Sequence, residues 1–472
     1  MTRESKLLKN TAIIGFGTMC TKGISFFLLP LYTSILSTEE YGTVDLVNTL
    51  ITLITYTLTL QFEQGIFRHL IDCRNDANEK KKYISTTFFT VTATLLVGIL
   101  LVLPITGLTH FEYTKYLIIN IIATLYCSII GQMVRGLGNI GIYTLISFLA
   151  ASSQIAFNVI FIAGFNWHIE GMLTATIIGN VIAAAVGFFA CKLYRYINIK
   201  CFEKQKLREL LKYSLPMVPN TLCWWLVNVS DRLVVTYFLG SAVNGIYAVA
   251  NKFPNIFITI TNVFQISWSE NAAENLKSKD RDQYYSKIMN QSVGFITCCC
   301  AVIISVLPLL FKILINESYN DAYYHILILL ISGLFHTFGN LYGSLFGALK
   351  YTKYIAKTTV FSAIANLAIN LIFIHFIGLF AASVSTLISY ALIAVMRHKE
   401  ISKIIKIKYE MKTIVISLVV IVVSSISFTV NNIIITVASI IIISILTSIL
   451  NKEMIINILN NLKNKYVNKK YD

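Results

Sequence analysis

An ionised side chain at the centre of a bilayer costs about 2.5–3.5 kcal/mol to insert, so each one needs a partner or a water-filled cavity. Lys22, Asp45, Glu63, Asp231, Arg232 and Lys252 all fall inside long apolar stretches of this 472-residue chain. Arg68 and Arg135 stand near the ends of two such stretches. The cations Lys22, Arg232 and Lys252 outweigh the nearest carboxylates unless Glu63 also takes part, and a cavity lined this way favours an anion. Arg232 suits phosphate in particular, because its planar fork can bind two oxygens at once. A plainer arrangement stays open, in which Asp45 neutralises Lys22 and Asp231 neutralises Lys252, stapling helices together. Pro30 and Pro254 are candidate hinges, since proline bends a membrane helix where neighbours satisfy the freed backbone.

The elements that must carry these residues are apolar runs of bilayer-spanning length. They cover approximately 10–36, 41–66, 84–106, 114–134, 141–164, 170–194, 214–239, 245–270, 288–311, 323–348, 358–376, 379–396, 413–430 and 433–450. Fourteen crossings put both termini on one face. About 34 of the 39 Lys and Arg residues collect on that face, leaving Lys115 and Lys312 opposite. Positive loops stay inside, so both termini are expected in the cytoplasm. The expected fold is an all-α polytopic membrane protein. The net charge of +16 is then a topology signal and not a nucleic-acid footprint.

Composition excludes other classes. A chain that is 56% hydrophobic and 13% charged would expose gross apolar patches in water. The nine cysteines lie in apolar runs and in loops on the basic face, which argues against a disulfide framework or a metal centre. There is no phosphate-binding Gly-Lys-Ser/Thr loop, nucleophile elbow or HExxH pair, so neither ATP hydrolysis nor another enzymatic activity is expected. The loops opposite the basic face are too short to hold a catalytic domain. A secondary transporter or flippase without cofactor fits, with coupling to H⁺ or Na⁺ left open.

The chain also repeats itself. A shift of 203 residues aligns Thr18 with Thr221, Thr33 with Thr236, Leu36 with Leu239, Gly42 with Gly245 and Asn48 with Asn251. A shift of 212 aligns Ala151 with Ala363, Asn158 with Asn370 and Thr174 with Thr386. Six crossings per repeat is an even number, so the halves run in parallel and flank a central path. The division expected is a six-helix bundle over 1–194, a cytoplasmic linker over 195–212, a second bundle over 213–397, and two extra helices with a basic tail over 398–472.

Specific residues point further. Ser214-Leu215-Pro216, Ser230-Asp231-Arg232, Leu239-Gly240, Asn244-Gly245-Ile246-Tyr247-Ala248 and Asn251-Lys252-Phe253-Pro254 resemble the Wzx-type polysaccharide flippases. Tyr41-Gly42 and Gly65-Ile66-Phe67-Arg68 are similar to that family's second helix. The resemblance covers roughly 1–400 and is most specific over 214–270. It implies a two-bundle, MATE-like fold and movement of an undecaprenyl-pyrophosphate-linked oligosaccharide, such as an O-antigen or capsule unit, to the outer leaflet. It also implies a cationic lumen, which maps onto Lys22, Arg232 and Lys252. Asp45, Glu63, Arg68, Arg135, Asp231, Asn48 and Asn251 stand as supporting or ion-coupling candidates. A polymerase and chain-length proteins are the partners such a flippase would have, besides membrane lipids. A MATE-like exporter and a lipid II flippase are the alternatives; an exporter of cations would want a negative lumen.

Overall fold

The computed structural model describes residues 26, 28–108, 110–430 and 432–450. Among these residues the chain is all helix and turn, without strands. The helices are α1 (Leu29–Ile35), α2 (Thr38–Leu58), α3 (Phe62–Asp72), α4 (Ala77–Leu108), α5 (Thr114–Gly136), α6 (Ile140–Asn158) and α7 (His168–Ala190). They continue as α8 (Lys204–Ser214), α9 (Val218–Leu239), α10 (Ser241–Glu274), α11 (Arg281–Leu314) and α12 (Ala322–Ala348). The last are α13 (Thr352–Ile377), α14 (Phe380–Ile401), α15 (Met411–Val430) and α16 (Ile433–Leu450). Every apolar run from 41 onward is therefore helical, and a polytopic membrane fold is what such lengths and apolarity build. Most of the run 10–36, with Lys22, and the tail beyond 450 lie outside the described residues.

One expected helix is not continuous. The run 41–66 breaks between α2 and α3, which diverge by 49°. Leu60 and Gln61 hold positive φ of 48° and 58°, a left-handed conformation that side chains other than glycine seldom adopt. Hydropathy cannot see this break, because Phe62 and Ile66 on its far side are fully buried in the same core. The burial of those side chains holds the backbone where it is strained.

Backbone contacts divide the chain into two compact units, 1–248 with 374–379, and 249–373 with 380–472. In the first unit, α5, α6 and α7 pack together, α3 lies on α5, and α9 lies on α2. Their shared core includes Val47, Ile51, Phe62, Ile66, Leu125, Val134 and Leu173. The outer face of α4 is apolar yet uncovered, with Leu100 at 70% and Leu101 at 63% exposure, as a lipid-facing surface would be. The short helix α8 is amphipathic and is no spanning element. It buries Leu210 in that core and sets Lys206 against Glu79 at 2.7 Å and over the Tyr83 ring at 4.7 Å. Its Glu209 carboxylate accepts a short hydrogen bond from the Tyr83 hydroxyl, and that bond holds Glu209 below the usual carboxylate range.

In the second unit α12 packs along α14, and α15 and α16 pack on α11 around Ala301, Val420 and Ile443. The segment leading into α15 is clamped to α11 by polar side chains one helical turn apart. Ser286 Oγ accepts from the Lys408 amide at 2.9 Å, while Asn290 donates to the Lys408 carbonyl at 2.8 Å and accepts from the Glu410 amide at 2.9 Å. Arg397, expected at the start of a basic cytoplasmic loop, instead lies inside α14 with 1% of its surface exposed. Its Nε donates to Thr358 at 3.1 Å, Nη1 to the Gly339 carbonyl at 3.0 Å and Nη2 to Thr359 at 3.1 Å. Gly343 makes room for it, since a Cβ there would stand 2.8 Å from Nη1.

Candidate functional site

The start of α2 is fixed by a reciprocal cap. The Glu40 amide donates to Ser37 Oγ at 3.2 Å, and the Ser37 amide donates back to the Glu40 carboxylate at 2.8 Å. One turn on, α2 crosses the first turns of α10 with backbone against backbone. A Cβ on Gly42 would fall on the carbonyl oxygen of Ser241 and within 2.6 Å of the Gly245 nitrogen. A Cβ on Gly245 would fall on the carbonyl oxygen of Thr38 and within 3.1 Å of the Gly42 nitrogen. These contacts are reciprocal under the 203-residue shift, which carries Thr38 onto Ser241 as well as Gly42 onto Gly245. Buried Asn244 seals the crossing by donating to the Gly42 carbonyl at 2.9 Å.

On the next turn of α2, Asp45 Oδ1 meets Arg232 Nη1 of α9 at 3.1 Å. Both side chains are largely covered, at 14% and 19% exposure. The second Asp45 oxygen is buried and has no hydrogen-bond partner among the described residues. Beside the pair, Asp231 is buried and accepts from the Tyr247 hydroxyl at 3.0 Å. Further along, the Trp225 indole N–H donates to Thr52 at 3.2 Å. Polar contacts thus bind α2, α9 and the start of α10 at successive levels. Gly240, at φ 91°, ends α9 so that α10 can turn back at once.

An ion pair held this way is poised close to balance. At an effective dielectric of about 20, charges 4 Å apart attract by about 4 kcal/mol, while taking each ion out of water costs several kcal/mol.

The remaining candidates are engaged elsewhere. Glu63 lies 6% exposed in the first turn of α3, and one of its oxygens has no hydrogen-bond partner among the described residues. Arg68 pairs with Asp72 at 2.5 Å on an exposed flank of α3. Arg135 stands over the Phe67 ring at 4.3 Å and the Tyr143 ring at 5.5 Å. Asn48 is half-buried on α2. Asn251 and Lys252, half-buried, and Pro254, buried, lie on the stretch of α10 that belongs to the second unit. Pro30 occupies the first turn of α1, and Pro254 the interior of α10. Of the charged candidates, Asp45 and Arg232 are in direct contact. Tyr247, Asn244, Thr52 and Trp225 join them as residues that charge alone does not single out. The pairing of Gly42 with Gly245 in the repeat was the sequence signal for this place.

The fold is shared with solved transporters. The lipid II flippase MurJ in an inward closed conformation superposes with a TM-score of 0.73 at 14% identity, over 94% of this chain and 100% of that one. An inward-facing multidrug resistance MATE family transporter of the MOP superfamily gives 0.69 at 15% identity, over 81% and 95%. In sequence, the chain is 22% identical over 255 residues to the probable low-salt glycan biosynthesis flippase Agl15 of Haloferax volcanii, and spans 52% of that relative. Residues 7–266, more than half of the chain, match the family described as polysaccharide biosynthesis protein. The chain belongs to that family.

Proposed function

We propose that this protein is a flippase, a transporter and not an enzyme, which carries a lipid-linked oligosaccharide across the bacterial inner membrane by alternating access. The substrate that the resemblance implies is an undecaprenyl-pyrophosphate-linked repeat unit of a surface polysaccharide, and the distribution of Lys and Arg puts both termini in the cytoplasm. The observation that carries the reading is the covered Arg232–Asp45 pair at the crossing of α2, α9 and α10, in a chain of the polysaccharide biosynthesis family. Asp45 occupies the guanidinium in this structure. An arriving pyrophosphate presents two oxygens to the same fork and displaces it. Lys22 and Lys252 supply further positive charge along the path; Lys252 follows Gly245 at two-turn spacing on α10. Pro254 and Pro30 act as hinges, and Glu63, a buried carboxylate, is the group that takes up H⁺ or Na⁺. A cell interior that is negative adds about 2.3 kcal/mol per uncompensated charge per 100 mV to outward movement of the anion.

A charge swap separates ligand from staple. Arg232→Ala and Lys22→Ala are each expected to abolish surface polysaccharide while the protein still inserts. The double variant Asp45→Arg with Arg232→Asp restores the ion pair yet should stay inactive, because the cation has left its station. Normal polysaccharide display by the swapped protein would make Arg232 a structural partner only and overturn the assignment.

A further inference from the structure

The turn joining α11 to α12 builds a pocket of about 520 Å³ that none of the roles above uses. Its floor is aromatic and fixed. Phe311 is 4% exposed and meets Tyr323 edge-on at 5.2 Å, and Tyr323 stacks on Phe428 at 4.2 Å while donating its hydroxyl to the Phe428 carbonyl at 2.7 Å. The rim is polar and accessible, formed by Lys312, Glu317 and Asn320, with Tyr324 at 64% exposure presenting its ring. The turn itself is held by Asn316, whose side chain accepts from the Ser318 amide at 3.1 Å, and by fully buried Tyr319. The walls therefore exist before any ligand arrives.

We propose that this pocket binds an uncharged pyranose sugar of the carried oligosaccharide. The proposal rests on the flippase reading for the origin of the sugar, and on the pocket's own chemistry for its class. An exposed aromatic ring offers its electron-rich face to the C–H face of a pyranose. The Asn320 amide both donates and accepts, Glu317 accepts and Lys312 donates, which matches the alternating hydroxyls of a sugar. The rim carries one positive and one negative side chain, so it lacks the surplus of cations that a phosphate needs. The volume is that of a small-molecule site. The pocket includes Lys312, which is expected opposite the basic face, so it would hold the sugar end of a unit that has crossed, before the next step takes it.

The test uses the purified full-length protein in lipid nanodiscs, with saturation-transfer NMR on maltotriose and chitotriose as probes. At least one probe should bind. Tyr324→Ala and Asn320→Ala, both at exposed positions, should each weaken it tenfold or more, while Arg232→Ala in the other unit leaves the affinity within twofold. Binding that survives Tyr324→Ala and Asn320→Ala but is lost in Arg232→Ala would place the sugar at the ion pair, overturning the pocket and sparing the flippase reading. Failure of both probes to bind overturns the pocket too, and so does a Lys312-dependent preference for vesicles of phosphatidylglycerol over either sugar. Loss of polysaccharide display in Arg232→Ala is read separately and judges the flippase reading alone.

Discussion

The crossing of α2 and α10 should tolerate no side chain at Gly42 or Gly245. Replacing either by alanine puts a methyl group on a backbone carbonyl, of Ser241 in one case and of Thr38 in the other. A flexible side chain could swing aside, but a carbonyl inside a helix cannot, so the helices themselves must part. Non-bonded contacts settle at about 3.5 Å and such a Cβ would stand at about half that distance from the carbonyl oxygen, so the required separation is about 1.5–2 Å. That displacement also stretches the 2.9 Å bond from Asn244 to the Gly42 carbonyl, which a membrane interior cannot replace with water. Overpacking of this kind costs about 1–3 kcal/mol. The equilibrium then shifts by about 5- to 150-fold toward any conformation in which α2 and α10 are apart. The two substitutions act on one contact, so they should not add: once the first has parted the helices, the second methyl finds room. Thermal melting of the single and double variants in detergent measures this, alongside surface polysaccharide in cells. Each single variant should melt earlier, and the double variant scarcely earlier than the worse single. Additive losses, or wild-type melting in either single, would refute the close crossing.

Other perturbations have outcomes set by the same contacts. Arg397→Ala removes the donors that the guanidinium supplies to the Gly339 carbonyl and to two threonine hydroxyls and leaves a void, and should destabilise the protein by about 3–5 kcal/mol, seen as a large loss of melting temperature; Arg397→Lys should recover only part of it, since one ammonium cannot reach all the guanidinium's partners. The docking of α8 should depend on pH. Glu209 is held below the usual glutamate range by the Tyr83 hydroxyl, so its contribution is full above the unfolded value and is lost as pH falls through the folded one. The group is 34% exposed, so the effect is modest. Hydrogen exchange over 204–214 should quicken below about pH 4, and Glu209→Gln should remove that dependence.

The fold was legible because a bilayer asks so little of a sequence. Apolar length marks the spanning helices from α2 onward, though not the amphipathic α8, which falls almost wholly within the expected linker. The exceptions are places where hydropathy has no opinion. Leu60 and Gln61 break a helix through backbone dihedrals, and their neighbours stay apolar because both halves remain buried. Arg397 reads as one more loop cation, since nothing in its own neighbourhood announces that Gly339, Gly343, Thr358 and Thr359 on two other helices have been arranged to receive it. A buried charge satisfied by hydroxyls and carbonyls leaves no complementary charge to find.

The site was half legible for a related reason. Charges within apolar runs identify Asp45 and Arg232 as residues needing an explanation, but the staple expected for Asp45 is Lys22, and charge alone does not favour Arg232, which Asp45 meets, over it. What breaks the tie is close approach, and close approach is written in glycine. Gly42 and Gly245 occupy the same place in the repeat, and each excludes a side chain because the other's helix passes through that space. Once α2 and α10 touch there, Asp45 on the following turn is brought to α9, and Arg232 is the cation that α9 presents. The small residues thus choose the partner of the charged ones. A repeat in which the same glycine recurs is accordingly a better guide to this crossing than the charges it positions, because the glycine permits a single geometry whereas a carboxylate accepts any cation within reach.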